Sequence, residues 1–127
     1  MTHGIGTDIV AVKRLEPLIT DLNDPFIQKT FTKNEISLIT KRPNPLYSFC
    51  TRFAGKEAVF KCLCTNGAGI RLHDIEILEL DSSQPYVILH GSALEYAQKH
   101  NLKQIHISLS YETDYAIAYA LAETIDP

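Results

Sequence analysis

Long apolar runs are missing from this 127-residue chain. No stretch approaches the ~18 consecutive apolar residues of a membrane-spanning helix, and the N-terminus lacks the pattern of a signal peptide. Cysteine is scarce and odd in number: Cys50, Cys62 and Cys64 all fall in or near one predicted helix. That argues against a disulfide framework, and Cys-x-Cys without a second ligand pair is too little for a zinc site. Three plain thiols in a reducing, cytoplasmic setting are expected. A basic excess is also absent, with 12 Lys and Arg against 15 Asp and Glu and a net charge of −3, so nothing supports nucleic-acid binding. Internal repeats, low-complexity segments and linkers are lacking too. What remains, 45% hydrophobic and 21% charged residues, is the composition of one globular domain spanning 1–127.

The order of elements reads α+β. His3 to Val10 reads as a first strand in which Gly4 and Gly6 signal close approach of another backbone or a ligand. Ala11 to Leu22 reads as a helix that Pro17 kinks or shortens, and Pro25 to Lys29 as a short one. Thr32 and Glu35 form a capping box for a helix carrying Ile36 and Ile39, which explains Glu35 without catalysis. A long helix is expected from about Leu46 to Cys64, ended by Asn66-Gly67-Ala68-Gly69, where glycine favours a left-handed exit. Asp74 to Leu80 and Tyr86 to Leu89 read as a hairpin, and Ser92 as the cap of a helix over Ala93 to His100. Gln104 to Ser110 and Tyr115 to Glu123 read as the last strands. In the final one, Ala116, Ala118, Ala120 and Ala122 line one face and Tyr115, Ile117, Tyr119 and Leu121 the other. An all-alanine face suits close packing of the long helix, giving an antiparallel sheet packed on one long helix.

Two carboxylates stand where apolar residues are expected. Glu57 falls in the helical series of Phe49, Phe53, Phe60 and Cys64, and Asp8 sits in the apolar first strand. Asp8 reads equally as a cap for the following helix, and Glu57 as a helix carboxylate paired with Lys61 one turn on. If the helix packs on the strand, the two carboxylates meet and repel unless they share a proton or a cation. An oxygen-only pair suits Mg²⁺ completed by substrate phosphate oxygens. Basic residues cluster in the first half (Lys33, Lys41, Arg42, Arg52, Lys56, Lys61), which suits a small anionic ligand or an acidic partner, or simply solvated helix faces.

The chain resembles the short holo-acyl-carrier-protein synthases, small 4′-phosphopantetheinyl transferases. The segments that carry the resemblance are Gly4-Ile5-Gly6-Thr7-Asp8-Ile9-Val10, Phe31-Thr32 with Glu35, and Arg52-Phe53-Ala54-Gly55-Lys56-Glu57-Ala58 with Lys61. Asp74-Ile75-Glu76 follows, then Ser108-Leu109-Ser110 with Glu112 before Tyr115-Ala116. The resemblance implies transfer of the phosphopantetheine arm of coenzyme A to a serine of an apo carrier protein, leaving adenosine 3′,5′-bisphosphate. It implies Asp8 and Glu57 as Mg²⁺ ligands, and Glu57 as acceptor of the serine proton. Lys61 is implied at the coenzyme phosphates, with Arg52, Gly67 and Tyr111 as further coenzyme-binding positions. Arg14 is implied as a contact for an acidic carrier protein, and a homotrimer with sites at subunit interfaces as the assembly.

Two departures are visible. Tyr111 follows Ser108-Leu109-Ser110 where the family usually has histidine, and Cys64-Thr65-Asn66 stands where it usually has Gly-Thr-Gly. They motivate an alternative, a divergent relative that binds carrier protein or coenzyme A without transfer. A third reading is an unrelated Mg²⁺-dependent nucleotide phosphohydrolase.

Overall fold

Small residues let the longest helix lie directly on a sheet. The computed structural model describes residues 1–66 and 69–125. In chain order its strands are β1 (Thr2–Ala11), β2 (Ile75–Glu79), β3 (Pro85–Leu89), β4 (Leu102–Tyr111) and β5 (Tyr115–Thr124). Its helices are α1 (Val12–Leu15), α2 (Pro25–Thr30), α3 (Lys33–Thr40), α4 (Pro45–Leu63) and α5 (Gly91–Lys99). The strands divide into an antiparallel three-stranded sheet, β1-β5-β4, and a separate two-stranded hairpin, β2-β3. A single sheet was expected; the structure splits it because the hairpin is not hydrogen-bonded to either edge of the larger sheet.

The expected alanine face is the helix-bearing one. Ala116, Ala118, Ala120 and Ala122 of β5 are all buried, and α4 packs across β5 and β1. On α4 the matching row is Cys50, Ala54, Ala58 and Cys62, four residues apart and fully buried. Gly4 and Gly6 bring β1 still closer. A Cβ on Gly6 would lie 2.0 Å from the Ala58 carbonyl oxygen, and one on Gly4 2.2 Å from that of Cys62. The strand therefore touches the helix backbone to backbone.

Local signals hold elsewhere. Pro17 shortens the first helix to a single α turn followed by a tighter turn over Glu16–Leu18. The Thr32–Glu35 capping box is formed in both directions. Two expectations fail. The exit from α4 is made by Cys64, which itself takes the left-handed conformation at φ 59°, not by glycine. Ser92 does not cap α5, which begins at Gly91 after His90; Ser92 instead donates from its N–H and Oγ to Asp74 Oδ2, at 3.0 and 2.6 Å. Asp74 thus serves from outside the helix one of the amides that a cap residue would serve.

A fully buried ion pair lies in the core. Lys56 and Glu35 have no exposed side-chain surface and meet at 2.7 Å. Lys56 Nζ also donates to the carbonyls of Leu72 and Ile75, so its three protons are used. Glu35 accepts from the N–H groups of Thr32 and Ile77 as well, at 2.9 and 2.8 Å. Burial disfavours charge on both, pushing Glu35 up and Lys56 down, while their mutual attraction opposes each shift. Beside them, Thr32 Oγ1 donates to Glu76, whose other oxygen meets His90 Nε2 at 3.1 Å. The bonds join α3, α4, β2 and the start of α5 into one network.

Removing one charge of a satisfied buried pair strands the other. Lys56→Met is expected to cost about 3–5 kcal/mol in urea unfolding, and Glu35→Gln a similar amount. The double variant should lose far less than the sum, so additive losses would refute the coupling.

Candidate active site

Alternation along β1 places Gly4, Gly6, Asp8 and Val10 on the side facing α4. The two glycines draw the strand in, Val10 anchors it in the core, and Asp8 is carried to the flank of the helix. Asp8 is no helix cap: α1 starts after Ala11 without a side-chain cap bond. Instead Lys61 Nζ donates to Asp8 Oδ1 at 3.1 Å and to the Thr7 carbonyl at 2.9 Å.

Glu57 stands next to this pair, not in the core. The expected stripe does not exist as drawn: Phe49 and Phe53 are buried, Phe60 is half-buried and Cys64 is exposed. Glu57 is half-buried at the rim, and the carboxylate that does lie in the core is Glu35. Burial first, and the neighbouring Asp8 charge second, raise Glu57 above its ordinary value of 4.5; Lys61 and then Arg14 pull the other way. Asp8, Glu57, Lys61 and Arg14 are thus electrostatic neighbours. Two of these groups are close enough to repel and no third acidic or histidine ligand completes a cage: among the described residues no cluster of three or more His, Cys, Asp or Glu side chains is placed to hold a metal. Two hard oxygen donors that leave the remaining positions to water and phosphate are the donor set that suits Mg²⁺.

Arg52 and Tyr111 come together elsewhere. They line a cavity of about 330 Å³ with Arg42, Tyr47, Thr51 and Glu79, beside β4. The Arg52 side chain is only 8% exposed and bonds Glu79 at 2.9 Å, and Arg42 pairs with the same carboxylate. Arg52 Nε is buried and has no hydrogen-bond partner. Burial first and Arg42 second push Arg52 below its usual value. Two guanidiniums facing one carboxylate leave a positive excess with an unused donor. Lys56, read from the sequence as one of the basic cluster, is instead the buried strut of the core. Gly67 lies outside the described residues. Tyr47 and Glu79 were not anticipated, and Arg42 only as one member of the basic cluster: the guanidinium–carboxylate contacts span 27 residues or more, and no local spacing announces them.

Comparison with known proteins gives the family and the fold. A family model described as the 4′-phosphopantetheinyl transferase superfamily matches residues 4–120. A Clostridium kluyveri protein named holo-acyl-carrier-protein synthase is 40% identical over 123 residues, covering 97% of this chain and 91% of its own. The solved structure of holo-acyl-carrier-protein synthase from Neisseria meningitidis superposes with a TM-score of 0.83 at 30% identity, over 98% of this chain and 100% of that one. That of the Helicobacter pylori enzyme in complex with coenzyme A gives 0.80 at 27% identity, over 94% and 99%. An α+β frame of this kind is shared with those solved holo-acyl-carrier-protein synthases. The chain belongs to the 4′-phosphopantetheinyl transferase superfamily and is an enzyme of that class.

The raised Glu57 has a stability consequence. A carboxylate whose folded value lies above its unfolded one contributes stability below the unfolded value and loses it as pH rises through the folded value. Glu57→Gln should therefore melt higher than the parent at neutral pH, with the gap closing below about pH 4.5, where the parent is protonated in both states. Thermal melts across pH check this; a parent that is the more stable at neutral pH would contradict it.

Proposed function

We propose that this chain transfers the 4′-phosphopantetheine arm of coenzyme A to a serine of an apo acyl carrier protein, releasing adenosine 3′,5′-bisphosphate. The observation that carries the reading is the Asp8–Glu57–Lys61 cluster, set where β1 is drawn onto α4. Asp8 and Glu57 would hold Mg²⁺. When bound, that ion would neutralise the two carboxylates and supply positive charge toward the pyrophosphate oxygens. Lys61 is half exposed, with 51% of its side-chain surface open, so its ammonium is free to turn from Asp8 to a phosphate oxygen. There it steadies the charge that develops on the departing bisphosphate. Glu57 would take the proton of the serine hydroxyl. The serine oxygen then attacks the phosphorus that carries the pantetheine arm.

Arg52, with its unused buried donor, and Tyr111 line the cavity that receives an anionic part of coenzyme A. The exposed Arg14 on α1, beside the catalytic cluster, meets the acidic carrier protein. Within one subunit the two halves of the site flank opposite edges of the three-stranded sheet, Asp8 on β1 and Tyr111 on β4. A homotrimer would bring one subunit's β4 half against its neighbour's β1 half. The outer sheet face offers the surface: Ile5, Ile9, Tyr115 and Tyr119 are 67%, 61%, 53% and 56% exposed. No helix among the described residues is long and apolar enough to cross a membrane, which fits an enzyme working in the cytoplasm.

Mass spectrometry of an apo carrier incubated with the protein, coenzyme A and Mg²⁺ is expected to show the gain of one phosphopantetheine arm. The gain should vanish with chelator. Glu57→Gln should lower the rate by roughly 10²-fold or more while the protein stays folded; full activity in that variant would remove the role given to Glu57. Light scattering is expected to give three times the chain mass, and Tyr119→Glu to lower it. A parent that is monomeric yet fully active would refute the shared site.

A further inference from the structure

We infer that Tyr47 is a positioning residue for Tyr111, and that the two stacked rings together set how the nucleotide end of coenzyme A enters the cavity beside Arg52. The inference rests on the transferase reading above and deepens it. Tyr111 is the last residue of β4 and is 55% exposed, so little of its own strand restrains the ring. It lies instead on the ring of Tyr47, centroid to centroid 4.8 Å, with the planes 25° apart.

Tyr47 is itself fixed at both ends. Its backbone sits in the first turn of α4, two residues after Pro45 opens the helix. Its hydroxyl donates to the Thr113 carbonyl at 3.1 Å, in the turn between β4 and β5. The anchor thus spans the helix and the strand connection, and Tyr111 is laid against it. Both rings line the same cavity as the buried Arg52 with its unpartnered Nε, and as Arg42.

Tyr111 presents a phenol and a π-face where an imidazole would present two ring nitrogens. With one face of the ring turned to Tyr47, its other face and edge are available to the cavity mouth. A stacked aromatic pair at the rim of an arginine-lined pocket suits a ligand that joins a planar base to phosphate, and the nucleotide end of coenzyme A has that chemistry. Tyr47 touches the ligand's orientation through Tyr111, which is why it is a positioning and not a catalytic residue.

Steady-state transfer kinetics with coenzyme A varied and carrier protein saturating, together with calorimetry of coenzyme A binding, test the inference on the full chain. Tyr47→Leu and Tyr111→Leu are each expected to raise KM and Kd for coenzyme A by roughly threefold to tenfold, with kcat and the KM for carrier protein close to the parent's. The double variant should be no worse than either single one, because the rings act as a unit. Tyr47→Phe, which keeps the ring and loses only the hydroxyl bond, should recover most of the affinity. An unchanged Kd in Tyr47→Leu while Tyr111→Leu weakens binding overturns the inference and leaves the transferase reading standing. Equal losses toward coenzyme A and carrier protein overturn it too, since they mark a merely structural role. A parent that binds coenzyme A without transferring its arm sinks the transferase reading, and the Kd values of the variants then still decide the role of Tyr47. A parent that does not bind coenzyme A refutes both.

Discussion

The buried ion pair of Lys56 and Glu35 is the constraint on which the arrangement turns. A charge taken out of water is costly unless every donor and acceptor is answered. Here Lys56 answers Glu35 and two carbonyls, and Glu35 answers two amides. These bonds tie α4 to α3 on one side and to the Leu72–Ile75 segment on the other. Lys56 and Glu57 are neighbours in sequence but about 100° apart around the helix. The network that holds Lys56 inward therefore fixes the rotation at which Glu57 emerges beside Asp8. Hydrophobic contacts alone are tolerant of small rotations; a set of five directional bonds in a low-dielectric interior is not.

The second constraint is the glycine-mediated contact of β1 with α4. Gly6 lets the strand reach the helix backbone, its pairing with β5 and the buried Val10 keep it there, and Asp8 is held near Glu57 despite their repulsion. The cluster is therefore built against local electrostatic preference, with the unfavourable part offset by packing at Val10, Ala54 and Ala58. Residues that destabilise the free protein in this way are free to gain when a cation or an anionic substrate arrives. Lys61 supplies partial relief in the meantime and is exposed enough to change partners.

The cavity beside β4 shows the same economy in a different form. Arg42 and Arg52 share Glu79, so the arginines are held in place without being neutralised, and one donor of Arg52 is left over. The cluster at the β1 edge offers oxygen ligands, and the cavity at the β4 edge offers guanidinium and aromatic surfaces. A long, polyanionic substrate with a planar base needs both kinds.

Features that depend on neighbours within a few residues were readable in the chain. The Thr32–Glu35 capping box, the break at Pro17 and the alanine–tyrosine alternation of β5 each involve periods of two to four residues, and each is found as read. Asp8, Glu57 and Lys61 stood out in the chain as carboxylates at apolar positions with a lysine one turn on, and the resemblance implied their roles. The environment of Glu57 was not. Phe49 to Lys56 are buried consecutively, all the way round the helix, so α4 has no single apolar face whose phase could place a residue in or out of the core. The Lys56–Glu35 pair, the Asp74–Ser92 bonds and the Tyr47–Tyr111 stack join residues 18 or more positions apart. Local periodicity determines which elements form because it acts along the chain. Which charge is buried, which carboxylate is left at the rim and which rings meet depend on how those elements dock, since desolvation and direct contact are properties of the packed chain.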